Sequence, residues 1–154
     1  MTHLKYLALL PMAIVLSHAA SAADQTVRRC EFEVKARCAS GEARVTMTDK
    51  AVSRVEVDVI WCGLPGKPSY TCSVDVSRDD GESQWSGADG ATVVTDTSLN
   101  PSEPDRIKVT IGRNVSIDLK EVQSAGRCGA GAELPQAIVI PANGKICRVW
   151  LGKL

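Results

Sequence analysis

Apolar and polar residues alternate along most of the chain after its first two dozen positions. In residues 30–38 the charged residues Glu31, Glu33, Lys35 and Arg37 occupy every second position. The positions between them form an apolar face of Cys30, Phe32, Val34, Ala36 and Cys38. A period of two is typical of a β-strand with one buried face. Similar patterns at 43–48 and 54–61 predict an antiparallel meander of three strands, and a fourth strand is predicted at 70–76.

The second half of the chain continues this pattern with more interruptions. Residues 77–90 are polar apart from Trp85 and are interpreted as a loop, and a short strand is predicted at 91–95. Residues 106–122 are interpreted as a hairpin that turns at 112–114. Residues 136–151 are interpreted as a second hairpin, with Asn143 and Gly144 as a strong turn signal. Residues 124–135 are too rich in glycine to predict a stable helix.

Eight to ten short strands without a convincing helix predict an all-β fold. Turn residues separate the strands at regular intervals, which is typical of an antiparallel sandwich or a small barrel. The cysteines described below would staple this fold.

The first residues have the features of a secretory signal peptide. Lys5 precedes an apolar run over residues 6–16, and small residues over 20–23 offer a cleavage site. We therefore predict a signal peptide at 1–23 and a single β-rich domain at 24–154, of ordinary size for one domain. The apolar run is short for a membrane span and no later segment approaches one, so no membrane insertion is predicted. The expected location is periplasmic or secreted.

The charge of the predicted mature chain is close to zero. Removal of Lys5 leaves 17 Lys and Arg against 18 Asp and Glu. The basic residues are scattered, and therefore give no footprint for nucleic acid or an anionic membrane.

All six cysteines lie in the predicted mature domain: Cys30, Cys38, Cys62, Cys72, Cys128 and Cys147. An even number in an exported chain favours three disulfides. No C-x-x-C pair is present, which disfavours a cysteine-based metal site.

The strand pattern limits which cysteines can pair. An extended strand over 30–38 would separate Cys30 from Cys38 by about 26 Å, whereas bridged Cα atoms lie about 4.4 to 6.8 Å apart. Cys62 and Cys72 are close in sequence, but the alternation places them on opposite faces unless the strand bulges near Gly63. A Cys38–Cys62 pair therefore competes with a Cys62–Cys72 pair. Cys128 and Cys147 frame the last hairpin and are expected to pair.

The histidine content excludes several kinds of active site. His3 and His18 both lie in the predicted signal peptide, so the mature domain would contain no histidine. Histidine is the commonest general base and a frequent metal ligand. Triads with histidine and imidazole metal sites are thereby excluded, and no phosphate-binding glycine motif is present. We expect no enzymatic activity and no cofactor.

The most suggestive polar segment is 77–90, which holds Asp79, Asp80 and Glu82 beside Trp85. Carboxylates on a loop are able to bind Ca²⁺, but the spacing does not match an EF-hand, so a solvated turn is favoured. Trp85 is interpreted either as a contact residue for a partner or as a lid on the core.

A second candidate segment is the turn between the third and fourth predicted strands. It contributes the candidate contact residues Leu64, Lys67 and Tyr70. Disulfides that hold such loops lower the cost of ordering them when a partner binds.

These observations predict an exported, non-catalytic domain that binds a protein partner. An inhibitor of a hydrolase and an envelope-interaction protein are the two classes considered. One alternative is a carboxylate-dependent, glycan-active enzyme, which needs two acids about 5 to 10 Å apart in a cleft. Another is a structural cell-surface module, which would self-associate.

Overall fold

The computed structural model describes residues 23–63, 69–88, 90–129 and 132–152. The signal peptide predicted at 1–23 lies almost entirely outside these residues, as do Leu64 and Lys67. No helix in the described ranges is long and apolar enough to cross a membrane.

Ten strands form two antiparallel sheets, which confirms the predicted all-β fold; of the two predicted architectures, a sandwich or a small barrel, the structure has the sandwich. The N-terminal sheet contains β1 (Gln25–Val34), β2 (Ala39–Thr48), β3 (Ala51–Trp61) and β4 (Tyr70–Ser77), in that order. The C-terminal sheet has the order β10-β9-β8-β7-β6-β5. Its strands are β5 (Ser83–Ala88), β6 (Ala91–Asp96), β7 (Asp105–Ile111), β8 (Val115–Glu121), β9 (Ala137–Ile140) and β10 (Arg148–Trp150). Each sheet is therefore a meander of strands that are neighbours in sequence.

One continuous hydrophobic core lies between the two sheets. Its largest fully buried side chains come from both sheets and are β-branched, among them Val45, Val55, Val57, Val74, Ile107, Ile117 and Ile138. β-branched residues pack well on a pleated sheet surface. The alternation in sequence thus selects the buried face correctly in β2 to β4 and in β7 and β8, except at Thr46, which it places outward and the structure buries.

The first predicted strand is wrong at its C-terminal end. β1 ends at Val34, and Lys35–Arg37 form one turn of 3-10 helix. Cys38 then adopts a left-handed conformation with φ 48°. Ala36 and Cys38 are consequently exposed instead of lying on the apolar face. The alternation continues through this turn, so the sequence pattern alone does not reveal it.

The segment 77–90 is not a loop throughout, because β5 occupies Ser83–Ala88. A strand at the end of a sheet needs few apolar residues, and in β5 Trp85 alone packs against the core. A short helix, α1 (Ser124–Arg127), also forms where none was predicted.

The three disulfides are Cys30–Cys147, Cys38–Cys62 and Cys72–Cys128. The competing Cys38–Cys62 pair is confirmed, and the Cys62–Cys72 pair is wrong because the two residues face opposite ways, as their alternation indicated. The Cys128–Cys147 pair is wrong as well. β9 and β10 do pair, but the segment between them crosses to β1, which brings Cys147 to Cys30.

Candidate functional site

Acidic side chains meet in register on the exposed face of the N-terminal sheet. Glu31 of β1 lies opposite Glu42 of β2, and Glu42 lies opposite Asp58 of β3. We call these three carboxylates the acidic row. Residues directly opposite each other on neighbouring strands have Cβ atoms about 4.5 to 5.5 Å apart, and like charges in such positions are destabilising. The sheet therefore carries an electrostatic cost in this row.

Cations within the protein neutralise this row only in part. Arg44 Nη2 lies 2.9 Å from Glu42 Oε1. The Asp58 carboxylate accepts a hydrogen bond of 2.8 Å from the Ser73 hydroxyl, which is a neutral donor. Within the described residues, Glu31 and Asp58 have no ion pair.

The charged residues next to the acidic row on the same face differ from it because they carry both signs of charge. Arg54 donates two hydrogen bonds to the Asp75 carboxylate, of 2.9 and 2.7 Å, and lies 3.4 Å from Glu56. The hydrogen bond with Asp75 and the negative charges of Asp75 and Glu56 raise the pKa of Arg54. The uncompensated negative charge on this face is therefore concentrated at the acidic row, where Arg29 and Lys145 lie beside its Glu31 and Glu42 end.

The acidic row lines an open groove of about 920 Å³ together with Glu33 and two apolar residues. These are Ile60, of which 51 % is exposed, and Ile146, of which 68 % is exposed. Large aliphatic side chains at this exposure beside four carboxylates form a mixed apolar and anionic surface. We call it the acidic groove, consisting of Glu31, Glu33, Glu42, Asp58, Ile60 and Ile146.

The segment 145–147, which carries Ile146 at one side of the acidic groove, is linked covalently to β1. The Glu31 N–H donates to the Lys145 carbonyl at 3.1 Å, and the Cys147 N–H donates to the Glu31 carbonyl at 2.8 Å. The Cys30–Cys147 disulfide lies beside these bonds. Ile146 is thus held against β1, so the groove exists before any partner binds.

The predicted binding segment contains a turn with Asp79, Asp80 and Glu82, which we call the acidic turn. The carboxylate of one of these residues accepts hydrogen bonds from within the same segment. Asp80 accepts hydrogen bonds from the Ser77 N–H at 2.8 Å, the Glu82 N–H at 3.0 Å and the Ser83 hydroxyl at 2.9 Å. Asp79 and Glu82 are exposed. In the described part of the chain no three acidic or cysteine side chains converge as metal ligands would.

Trp85 lies half-buried against the core, in the position expected of a lid. Its indole N–H donates to the Ser83 hydroxyl at 3.0 Å, and the Arg78 guanidinium lies 4.9 Å from its ring centroid. Tyr70 is also half-buried and packs against Gly129, where a Cβ would lie 2.9 Å from the Tyr70 ring. Trp85 and Tyr70 therefore each pack within the fold, and the predicted contact residues Leu64 and Lys67 lie outside the described residues.

We expect Asp80→Ala to lower the free energy of unfolding by about 1 kcal/mol at neutral pH. Hydrogen bonds to a charged group contribute about 1.5 to 3 kcal/mol, and solvent screening reduces this at an exposed position. Burial acts to raise the pKa of Asp80, but hydrogen bonds from Ser77, Ser83 and Glu82 outweigh it and lower the pKa. The stabilisation is thus present above the ordinary aspartate pKa and is lost as the pH falls through the folded value.

Urea unfolding at several pH values measures this effect, with Asp79→Ala as the matched control. The two curves of wild type and Asp80→Ala should converge at acid pH. Equal losses in the two variants would contradict the role of Asp80.

A buried ionic cluster joins α1 to the C-terminal sheet. Arg127 pairs with Asp96 and, at 2.6 Å, with Asp105. Their side chains are only 7 %, 3 % and 3 % exposed. The Asp105 carboxylate also accepts the Gln123 N–H at 2.8 Å. Because Arg127 immediately precedes Cys128, the cluster helps to hold that disulfide in place, and it presents no accessible charge to a partner.

With this geometry established, the chain was compared with known proteins. No protein-family model, no curated protein and no solved structure matches it.

Proposed function

We propose that this protein is an exported, non-catalytic binding domain whose acidic groove receives a cationic segment of a partner protein. The observation that carries the proposal is the register of Glu31, Glu42 and Asp58 across three neighbouring strands. Three carboxylates in line repel one another, and lysine or arginine side chains from a partner would relieve that repulsion. Charge complementarity of this kind chiefly determines which partners associate and how fast.

The apolar residues of the groove complement its charge. Ile60 and Ile146 are more than half exposed, and their burial by a partner would contribute about 25 cal/mol for each Å² of apolar surface removed from water. A cationic segment that also carries aliphatic side chains fits this surface better than a polycation does.

The exposure of the carboxylates favours binding over catalysis. The distance between the carboxylates does not distinguish a binding domain from the alternative, a glycan-active enzyme. Neighbouring strands lie about 4.8 Å apart, so acids on them fall within the carboxylate separation that glycoside hydrolysis requires. A catalytic acid, however, must keep its proton near neutral pH, which requires burial or a close like charge in a dry site. Glu31 and Asp58 are exposed to water, so they lack the dry surroundings such an acid requires.

Three disulfides support the proposed export. Disulfides persist in oxidising compartments such as the periplasm and the extracellular space. Both partner classes considered from the sequence, a hydrolase and an envelope component, would have to present a cationic segment to the acidic groove.

We expect Glu31→Lys with Asp58→Lys to weaken binding of a cationic peptide about tenfold. Each exposed ion pair contributes up to about 1 kcal/mol, and its replacement by repulsion costs a similar amount, so about 0.7 kcal/mol at each of the two sites gives the 1.4 kcal/mol of a tenfold change. The probe is a fluorescent decapeptide that alternates lysine and valine, titrated with the oxidised protein and followed by anisotropy.

The matched control is Asp79→Lys with Glu82→Lys, which changes the net charge equally at the predicted acidic turn. This control should reduce affinity far less. An equal loss of affinity in both variants would mean that the peptide responds only to net charge. A larger loss of affinity in the control would place the binding site at the acidic turn.

A further inference from the structure

The two sheets have four edge strands, and three of them are protected. In β1, Glu31 pairs with the segment 145–147, and the Cys30–Cys147 disulfide lies beside it. In β4, the Thr71 carbonyl accepts the Gly129 N–H at 3.1 Å next to the Cys72–Cys128 disulfide. β10 has only three residues. Short, covered or charged edges prevent a second chain from adding a strand.

β5 lacks these protections. Its residues, Ser83–Ala88, include no charge and no proline. The Thr97 N–H donates to the Glu82 carbonyl, which fixes the alternation of the antiparallel ladder between β5 and β6. The N–H and C=O groups of Ser83, Trp85 and Gly87 therefore point away from β6. No other described backbone group bonds to them, but the Ser83 N–H already donates to the Asp80 carboxylate.

We infer that β5 pairs with β5 of a second copy of this chain, antiparallel and around a twofold axis at Trp85. In this register Ser83 of each copy faces Gly87 of the other. Each backbone N–H that points away from β6 therefore faces a C=O of the second copy that also points away from its own β6. The Trp85 and Gly87 N–H groups of the two copies donate four hydrogen bonds, and two more form where the Ser83 N–H of each copy leaves its Asp80 carboxylate for the Gly87 carbonyl of the other copy. The two C-terminal sheets become one continuous sheet. A twofold contact uses the same patch on both subunits, and a single edge strand supplies such a patch.

The charges around β5 are compatible with this register. Glu82 faces position 88 of the second copy, an alanine, so no like charges are opposed. Gln84 faces Ser86 of the second copy on the exposed side of the sheet, where both side chains are polar and exposed. A groove of about 450 Å³ beside Trp85, Ser86 and Gly87 leaves space at this end of the strand.

The contact is small. Stable interfaces bury about 1,200 Å² or more, and one pair of six-residue strands buries less. The dimer is therefore weak and forms only as the protein concentration rises. It is independent of the acidic groove, which lies on the other sheet.

Sedimentation of three proteins and one mixture tests this register. Wild type should show a monomer–dimer equilibrium. Gln84→Lys with Ser86→Lys should be monomeric, because each lysine faces a lysine, and Gln84→Glu with Ser86→Glu should be monomeric for the same reason. An equimolar mixture of the two variants should form a dimer with one copy of each, tighter than that of wild type.

The substituted side chains are exposed, and thermal unfolding of each variant verifies that the fold is retained. A wild type that stays monomeric at every concentration would overturn the inference. Dimers that persist in both single-charge variants would place the contact elsewhere, and a mixture that stays monomeric would exclude the proposed register.

Discussion

Replacing Arg127 with methionine is expected to lower the free energy of unfolding by about 3 to 5 kcal/mol. Arg127 is the cation that faces both Asp96 and Asp105, and all three side chains are buried. Methionine fills the space but leaves two carboxylates without a counter-charge in a site where water cannot solvate them. Charged groups buried without a partner are among the most destabilising defects known in proteins.

Denaturant unfolding with the disulfides intact measures this cost. The matched variant combines Arg127→Met with Asp96→Asn and Asp105→Asn. Asparagine removes the buried charge yet keeps an oxygen to accept the Ser98 and Gln123 N–H groups, so the triple variant should recover most of the loss. A single variant that costs under about 1 kcal/mol would contradict the assignment of Arg127 as a structural counter-ion.

Removal of the Cys30–Cys147 disulfide has the second large expected effect. The two cysteines are 117 residues apart, and a cross-link over about 100 residues stabilises by about 4.7 kcal/mol in the chain-entropy description. Cys30→Ala with Cys147→Ala should cost about that much. The same change frees the segment that carries Ile146, so the affinity for the cationic peptide should also fall.

Cys38→Ala with Cys62→Ala is the control, because this disulfide closes a loop of only 24 residues. Its expected cost is smaller, about 3.5 kcal/mol, and it should leave Ile146 in place beside the acidic groove. Guanidinium unfolding and peptide titration of both variants give the two readouts. An equal loss of peptide affinity in the two variants would contradict a specific role of the Cys30–Cys147 bond in the groove.

Alternation along the chain was sufficient to predict an all-β sandwich or small barrel, because burying one face of a strand requires an apolar residue at every second position. It was insufficient at chain reversals. Lys35–Arg37 continue the alternation while the backbone turns, so the end of β1 and the position of Cys38 were misplaced. β5 was missed for the opposite reason, since an edge strand covered by a single tryptophan needs no apolar alternation.

The acidic groove was not predictable from single strands. Glu31, Glu42 and Asp58 each occupy an ordinary outward position, and their proximity depends on the register of β1, β2 and β3. That register follows from the turns that join the strands. The predicted meander placed Glu31 and Asp58 outward, but Glu42 lay before the strand predicted at 43–48, because β2 begins earlier, at Ala39.

The buried cluster depends on contacts that are remote in sequence. Asp96 ends β6 and Asp105 begins β7, and Arg127 lies in a glycine-rich segment that was not expected to be a helix. These three residues meet only in the folded protein, where β6, β7 and α1 pack together.

The measurement that tests the central proposal most directly is an NMR titration of the oxidised, ¹⁵N-labelled protein with the lysine–valine decapeptide. Amide shifts are expected at Glu31, Glu42, Asp58, Ile60 and Ile146, with loss of these shifts at high salt and with the same peptide carrying glutamate for lysine. Shifts confined to the acidic turn, to Trp85 or to no coherent surface would contradict the assignment of the acidic groove as the binding site.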